Sequence, residues 1–153
     1  MSRLRALAVT LLLVSHASVF GQRQASQTEA NKKVVHDFYR YVWEPQDVNA
    51  LPKFVGGNYI EHNPLFNGGR DALAREMKAG RFRRRTSKVE DKLTDPPEFI
   101  TAEGDLVTWI FKRTRPDPND SSKTYESFWF DTFRVKDGKI VEHWDAATRQ
   151  RNL

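Results

Sequence analysis

Four consecutive positions near the C-terminus, Glu142, His143, Trp144 and Asp145, load two carboxylates, an imidazole and an indole onto the end of a segment that begins apolar, Ile140-Val141. Asp131 lies one segment earlier between Trp129 and Phe133, and His62-Asn63 precede Pro64 in the run Tyr59-Ile-Glu-His-Asn-Pro64. A carboxylate surrounded by apolar walls has its charged form disfavoured, which suits it to give or take a proton near neutral pH. Two such groups close together also push their titrations apart. Asp145 and Asp131 are thus candidate acid/base groups. His62 is a third, at the end of an extended stretch from which a side chain can reach a cavity mouth. Plainer roles exist for each: Asp145 as a strand-end cap, His62 as a satisfied structural histidine, and Glu142 as an outward partner of Arg134. His143 either orients a bound group or packs as a core histidine.

Alternation along strands decides which of these residues can meet. Val141, His143 and Asp145 share one face of the last segment, with Ile140, Glu142 and Trp144 on the other. On the preceding segment Trp129, Asp131 and Phe133 share a face. Asp-Gly at 137–138 between the two is a strong hairpin signal, so Asp131 and Asp145 are expected as neighbours.

The elements needed to position them are readable along the chain. Val34, Val35, Phe38 and Val42 follow helical spacing over Glu29–Trp43, stopped by Pro45. A short helix is expected over Val48–Phe54, ended by Gly56-Gly57. Tyr59–His62 should be extended because Asn63-Pro64 turns the chain, and Ala72, Leu73, Glu76 and Met77 set a third helix ending near Gly80. Strands are expected over Lys88–Leu93, Glu98–Thr101, Leu106–Arg115, Tyr125–Lys136 and Lys139–Asp145, with a polar loop at Pro116–Ser122. Helices first and an antiparallel meander after them make an α+β domain, with helices on one face of a curved sheet.

Residues 1–21 have the layout of a secretory leader: Arg3 and Arg5, the apolar run Ala6–Val14, then small residues before Gly21. The apolar run is shorter than the roughly 20 residues a bilayer requires, so no stable membrane insertion is expected after cleavage. Residues 22–29 read as a polar linker and 30–153 as one domain, secreted or periplasmic. The chain has no cysteine, so stability must come from an ordinary core. Loss of the leader lowers the net charge from +5 to +3, too little to argue for nucleic acid. The basic run Arg81–Arg85 reads as a solvated helix end.

The stretches YIEHNP (59–64), GGRDAL (68–73) and FDTFRVKDGKIVEHWD (130–145) resemble the SnoaL-like proteins, relatives of the polyketide cyclases within the superfamily named after nuclear transport factor 2. The resemblance covers about residues 30–147. It implies a cone of strongly curved antiparallel sheet with N-terminal helices enclosing a pocket, commonly as a homodimer. It also implies that Asp145 acts as acid/base in an intramolecular aldol reaction; no cofactor or metal is expected. Where the cyclases carry a histidine on the preceding strand, this chain has Asp131.

Two functions fit these residues. One is an enzyme in which Asp145 moves a proton on a small hydrophobic carbonyl compound, as cyclase, isomerase or hydrolase. Asp131, His62 or Asn63 then steadies charge, and Asn63, His143, Trp129, Phe133, Tyr59 and Trp144 contact substrate. The other is a binding protein that holds a hydrophobic ligand unchanged. A weaker third reading places a metal on His62, His143 and Asp145.

Overall fold

The computed structural model describes residues 21–65 and 68–148. Helix α1 occupies residues 21–38 and opens into a π-helical turn, Tyr39–Trp43. Its buried stripe is Val35, Phe38, Tyr39 and Val42, all packed into the core. Residues 22–29, read as a linker, are largely exposed turns of this helix, while residues 1–20 of the expected leader lie outside the described residues. A single turn, α2 (Leu51–Phe54), follows and carries Pro52 where a missing N–H costs no helical bond. Strand β1 (Val55–Glu61) begins before the expected Tyr59, and α3 (Arg70–Lys78) buries Ala72, Leu73 and Met77.

Four strands complete the sheet: β2 (Phe99–Glu103), β3 (Leu106–Asp117), β4 (Asp120–Lys136) and β5 (Lys139–Asp145). Their spatial order is β1-β5-β4-β3-β2. The pairs β2–β3, β3–β4 and β4–β5 are antiparallel, as the hairpin pattern requires, and β1 adds a parallel edge beside β5. Asp137 and Gly138 both take positive φ, 50° and 70°, so the β4–β5 turn has the twist that suits a two-residue hairpin. The expected polar loop at Pro116–Ser122 shrinks to a turn at residues 118–119, because β3 and β4 run on into a long hairpin.

A bulge sets the phase of β5. Arg134 pairs with Glu142 but Val135 pairs with Ile140, so Val141 has no partner on β4. Ile140 therefore faces the core beside Val135, and the expectation that Val141 shares the face of His143 and Asp145 is corrected. Beyond the bulge Phe133 lies opposite His143, and Asp131 opposite Asp145.

The core forms where α1 crosses the concave side of the sheet. Tyr39 stacks on Trp109 at 4.3 Å, and Val35, Phe38 and Val42 meet Val107, Phe111, Phe133, Val135 and Ile140. On the convex side Phe99, Ile110 and Phe130 pair in a row across three strands, with Phe99 and Phe130 exposed and Phe128 beside them.

The expected strand over Lys88–Leu93 does not form. Four of its six residues are charged, and Pro96-Pro97 removes two donors just downstream. The irregular segment between α3 and β2 is instead fastened to Glu44, which is 2% exposed. Its carboxylate accepts the Thr94 and Asp95 N–H groups at 3.0 and 2.8 Å, and its carbonyl accepts those of Arg85 and Thr86 at 2.9 and 3.3 Å. Arg40 adds a bond to the Glu90 carbonyl at 2.5 Å. Glu44→Ala strands two backbone donors, each worth about 1–3 kcal/mol when left unsatisfied. The variant is expected to lose about 2–4 kcal/mol in urea unfolding and to gain a protease-sensitive site between residues 81 and 98; unchanged stability would refute the anchoring role.

Candidate active site

The cavity lies between α1, the anchored segment and the concave side of β3–β5, with a volume of about 360 Å³. Tyr39, Trp43, Phe82, Phe111 and Trp129 supply its apolar walls, which suits a ligand of drug-like size. Its polar end is assembled by strand register. The β4–β5 pairing brings Asp131, His143 and Asp145 together, with Phe133 stacked on the His143 ring at 4.7 Å. In the parallel β1–β5 pair Glu61 lies beside His143 and Ile60 beside Glu142, so Tyr59 and Glu61 point inward while Ile60 and His62 point outward.

His143 is the centre of the polar cluster. Its Nδ1 shares a hydrogen with Glu61 Oε1 at 2.9 Å, and its Nε2 faces Asp131 Oδ1 at 3.4 Å. Glu61 is further held by the Tyr59 hydroxyl at 2.5 Å and the Asn63 N–H at 3.0 Å. Asp131 accepts from the Tyr39 hydroxyl at 2.5 Å and from the Trp129 indole N–H at 2.8 Å. Asp145, opposite, accepts from the Asn63 amide at 2.6 Å and the Ala147 N–H at 2.9 Å.

The electrostatics follow from this packing. Burial disfavours the imidazolium, but the hydrogen bonds and negative charges of Asp131 and Glu61 outweigh it and hold His143 at about 9. Burial likewise disfavours the Glu61 carboxylate, yet His143, Tyr59 and Asn63 bring it below its ordinary range. Burial and the adjoining carboxylates push both Tyr59 and Tyr39 well up, so each hydroxyl stays a donor. At neutral pH the cluster is an imidazolium clasped by carboxylates inside an apolar enclosure.

Of the sequence candidates, Asp145, Asp131, Asn63, His143, Trp129, Phe133 and Tyr59 all line the cavity. His62 and Trp144 do not. His62 bonds Glu142 at 2.9 Å and stacks on Trp144 at 4.9 Å on the outer face, where Arg134 lies over the Trp144 ring and bonds Glu142 at 2.7 Å. Period-two alternation is the reason, since His62 is three residues from the inward Tyr59 and Trp144 is flanked by inward neighbours. The proposed metal set containing His62 therefore does not assemble. Asp131, His143 and Asp145 do place ligand atoms within 4.8 Å of one another, but a cation there would compete with the imidazolium.

Several cavity residues were not among the sequence candidates, Glu61, Tyr39, Arg113 and Asp95 among them. Glu61 was discoverable as the residue two beyond Tyr59, and Tyr39 as the next position of the Val35-Phe38-Val42 stripe. Arg113 and Asp95 meet only through the tertiary fold. Arg113 makes a two-pronged bond to Asp95 at 3.0 and 2.8 Å, and Arg85, read as part of a solvated helix end, joins the same carboxylate at 2.7 Å.

Helices over a curved sheet, closed around a polar-ended cavity, define a cystatin-like cone fold. The chain belongs to the SnoaL-like domain family, whose model matches residues 35–143. Its fold is similar to a putative polyketide cyclase from Streptomyces antibioticus, IdmH, at 17% identity and TM-score 0.53, covering 75% of this chain and 89% of that one. It is also similar to AclR, a putative hydroxylase from Streptomyces galilaeus, at 18% identity and TM-score 0.52, covering 78% and 79%. A protein of unknown function with a cystatin-like fold from Xanthomonas campestris matches at 20% identity and TM-score 0.51, covering 75% and 88%. No curated protein matches the sequence.

The raised His143 value fixes the sign of a pH effect. Stabilisation from its charged form is complete below the unfolded value near 6.5 and is lost as pH rises through about 9. Glu61, held low, adds stability above about 4.5 that is lost as pH falls. The stability gap between wild type and His143→Gln should therefore narrow by about 3 kcal/mol between pH 6 and pH 10. An NMR titration of the His143 ring should place its midpoint above pH 8; a midpoint near 6.5 would show that the carboxylates do not hold its proton.

Proposed function

We propose that this protein is a cofactor-independent acid/base enzyme acting on a small carbonyl compound, of the aldol-cyclising or isomerising type. The observation that carries the reading is the unequal treatment of two facing carboxylates. Asp131 is engaged by Tyr39, Trp129 and His143 and is fixed as an acceptor. Asp145 has one side-chain donor and one backbone donor, leaving acceptor capacity on each oxygen at the cavity wall.

Asp145 is accordingly the proton carrier. Its carboxylate removes a proton from the carbon next to a substrate carbonyl, and the electron pair moves onto the carbonyl oxygen as an enolate. His143 Nε2–H, only loosely spent on Asp131 at 3.4 Å, and the Asn63 amide are the groups placed to meet that oxygen. Attack of the enolate carbon on a second carbonyl closes a ring, and Asp145 returns its proton to the new alkoxide. Return of the proton to carbon instead gives an isomer. Of Asp131, His62 and Asn63, the groups expected to steady charge, Asn63 keeps that role here and His143 joins it in place of His62. The names of the similar structures, a putative polyketide cyclase and a putative hydroxylase, favour small-molecule chemistry in this cone.

Asp145→Asn should lower turnover by about 10²–10⁴-fold, the usual contribution of a positioned acid/base group, with substrate affinity changed only slightly. Full turnover by this variant would remove the proposal. A cavity that holds its ligand unchanged on long incubation, with binding indifferent to Asp145, would favour the carrier reading.

Export and self-association belong to the same proposal. Arg3, Arg5 and the apolar run Ala6–Val14 support a cleaved leader, and exposed Phe99, Phe128 and Phe130 support pairing with a second copy. Intact mass and sedimentation of protein recovered outside the cytoplasm should show a chain starting near Gln22 that sediments as a dimer.

A further inference from the structure

The cavity has two ends of opposite character. Along the inner side of β3 the alternate residues Trp109, Phe111, Arg113 and Arg115 lead outward from the level of Asp131, with which Trp109 pairs, to that of Tyr125, which pairs with Arg115. Trp109 and Phe111 are buried, so the change from apolar to cationic occurs within one strand. Of the carboxylates lining the cavity only Asp95 lies at the outer end, and both Arg113 and Arg85 bind it. Arg115 lines the cavity, is exposed, and its guanidinium has no ion-pair or hydrogen-bond partner among the described residues. Three guanidinium groups at this end thus face one cavity carboxylate, while the inner end sets Glu61, Asp131 and Asp145 against one imidazolium.

We propose that the ligand is an organic acid, with an apolar, ring-bearing body and a carboxylate that Arg115 receives at the cavity mouth. This deepens the acid/base reading, since it rests on the same cavity. A carboxylate seated at the inner end would face Asp131 and Asp145, so repulsion there and attraction at Arg115 enforce one orientation. The apolar body then lies along Phe111 and Trp129, and the far end of the molecule reaches Asp145. Six residues of strand separate Trp109 from Arg115, roughly 20 Å at about 3.4 Å per residue, and an arginine folding inward shortens the gap to the span of two or three rings. The planar, two-pronged guanidinium also matches a carboxylate better than it matches a neutral amide or ester.

The test compares 2-naphthoate with its uncharged counterpart 2-naphthamide, binding followed through quenching of tryptophan fluorescence and by calorimetry in low salt. The acid should bind about tenfold more tightly than the amide, the value of one charge-assisted contact, and the advantage should shrink as salt rises. Arg115→Gln, a change at an exposed position, should bring the ratio to within about twofold, mainly by weakening the acid; Arg115→Lys should retain part of the preference. Equal affinities in the wild type, an undiminished ratio in Arg115→Gln, or failure of both probes to bind would each overturn the proposal. The readout is binding alone, so it stands if Asp145 proves to do no chemistry, and chemistry at Asp145 stands if the ratio ignores Arg115.

Discussion

An imidazolium enclosed by apolar walls is tolerable only when carboxylates meet it at hydrogen-bond range, and this requirement organises the whole concave side of the protein. Glu61 comes from β1, His143 from β5 and Asp131 from β4, and Tyr39 reaches Asp131 from α1. Each element is thereby tied to the next through a polar atom at the cavity wall. The parallel edge strand matters for this reason above any other. Without β1 beside β5, Glu61 would be lost and the buried charge would be answered on one side only.

The roof of the cavity obeys a second constraint of the same kind. The segment between α3 and β2 has no ladder of its own, so its backbone donors need partners from elsewhere. Glu44, set just past the π-helical turn of α1, provides them with both its carboxylate and its carbonyl. The segment in return delivers Phe82, Arg85 and Asp95 to the cavity. One end of the binding space is thus built on the sheet, and the other is suspended from a helix terminus.

The local half of this architecture was legible in the residues themselves. Asp137-Gly138 announced the last hairpin, and period-two alternation put Trp129, Asp131, Phe133, His143 and Asp145 on one face, as the register shows. The same rule separates His62 from Tyr59 and Trp144 from Asp145, and the structure keeps both on the outer face. Other features left no short-range mark. Pairing of Glu61 with His143 joins positions about eighty apart, Glu44 meets Asp95 across fifty, and the skipped residue in β5 depends on how both flanking strands pack.

That skipped residue, Val141, divides β5 into two stretches that answer to different demands. Before it, Ile140 is in step with Val135 and serves the interior; after it, His143 and Asp145 are in step with Phe133 and Asp131 and serve the cavity. The bulge works as a phase adjuster between a structural stretch and a chemical one. Side chains can be exchanged on the chemical stretch without rethreading the interior, which makes this strand a natural place for one scaffold to diversify its reactions.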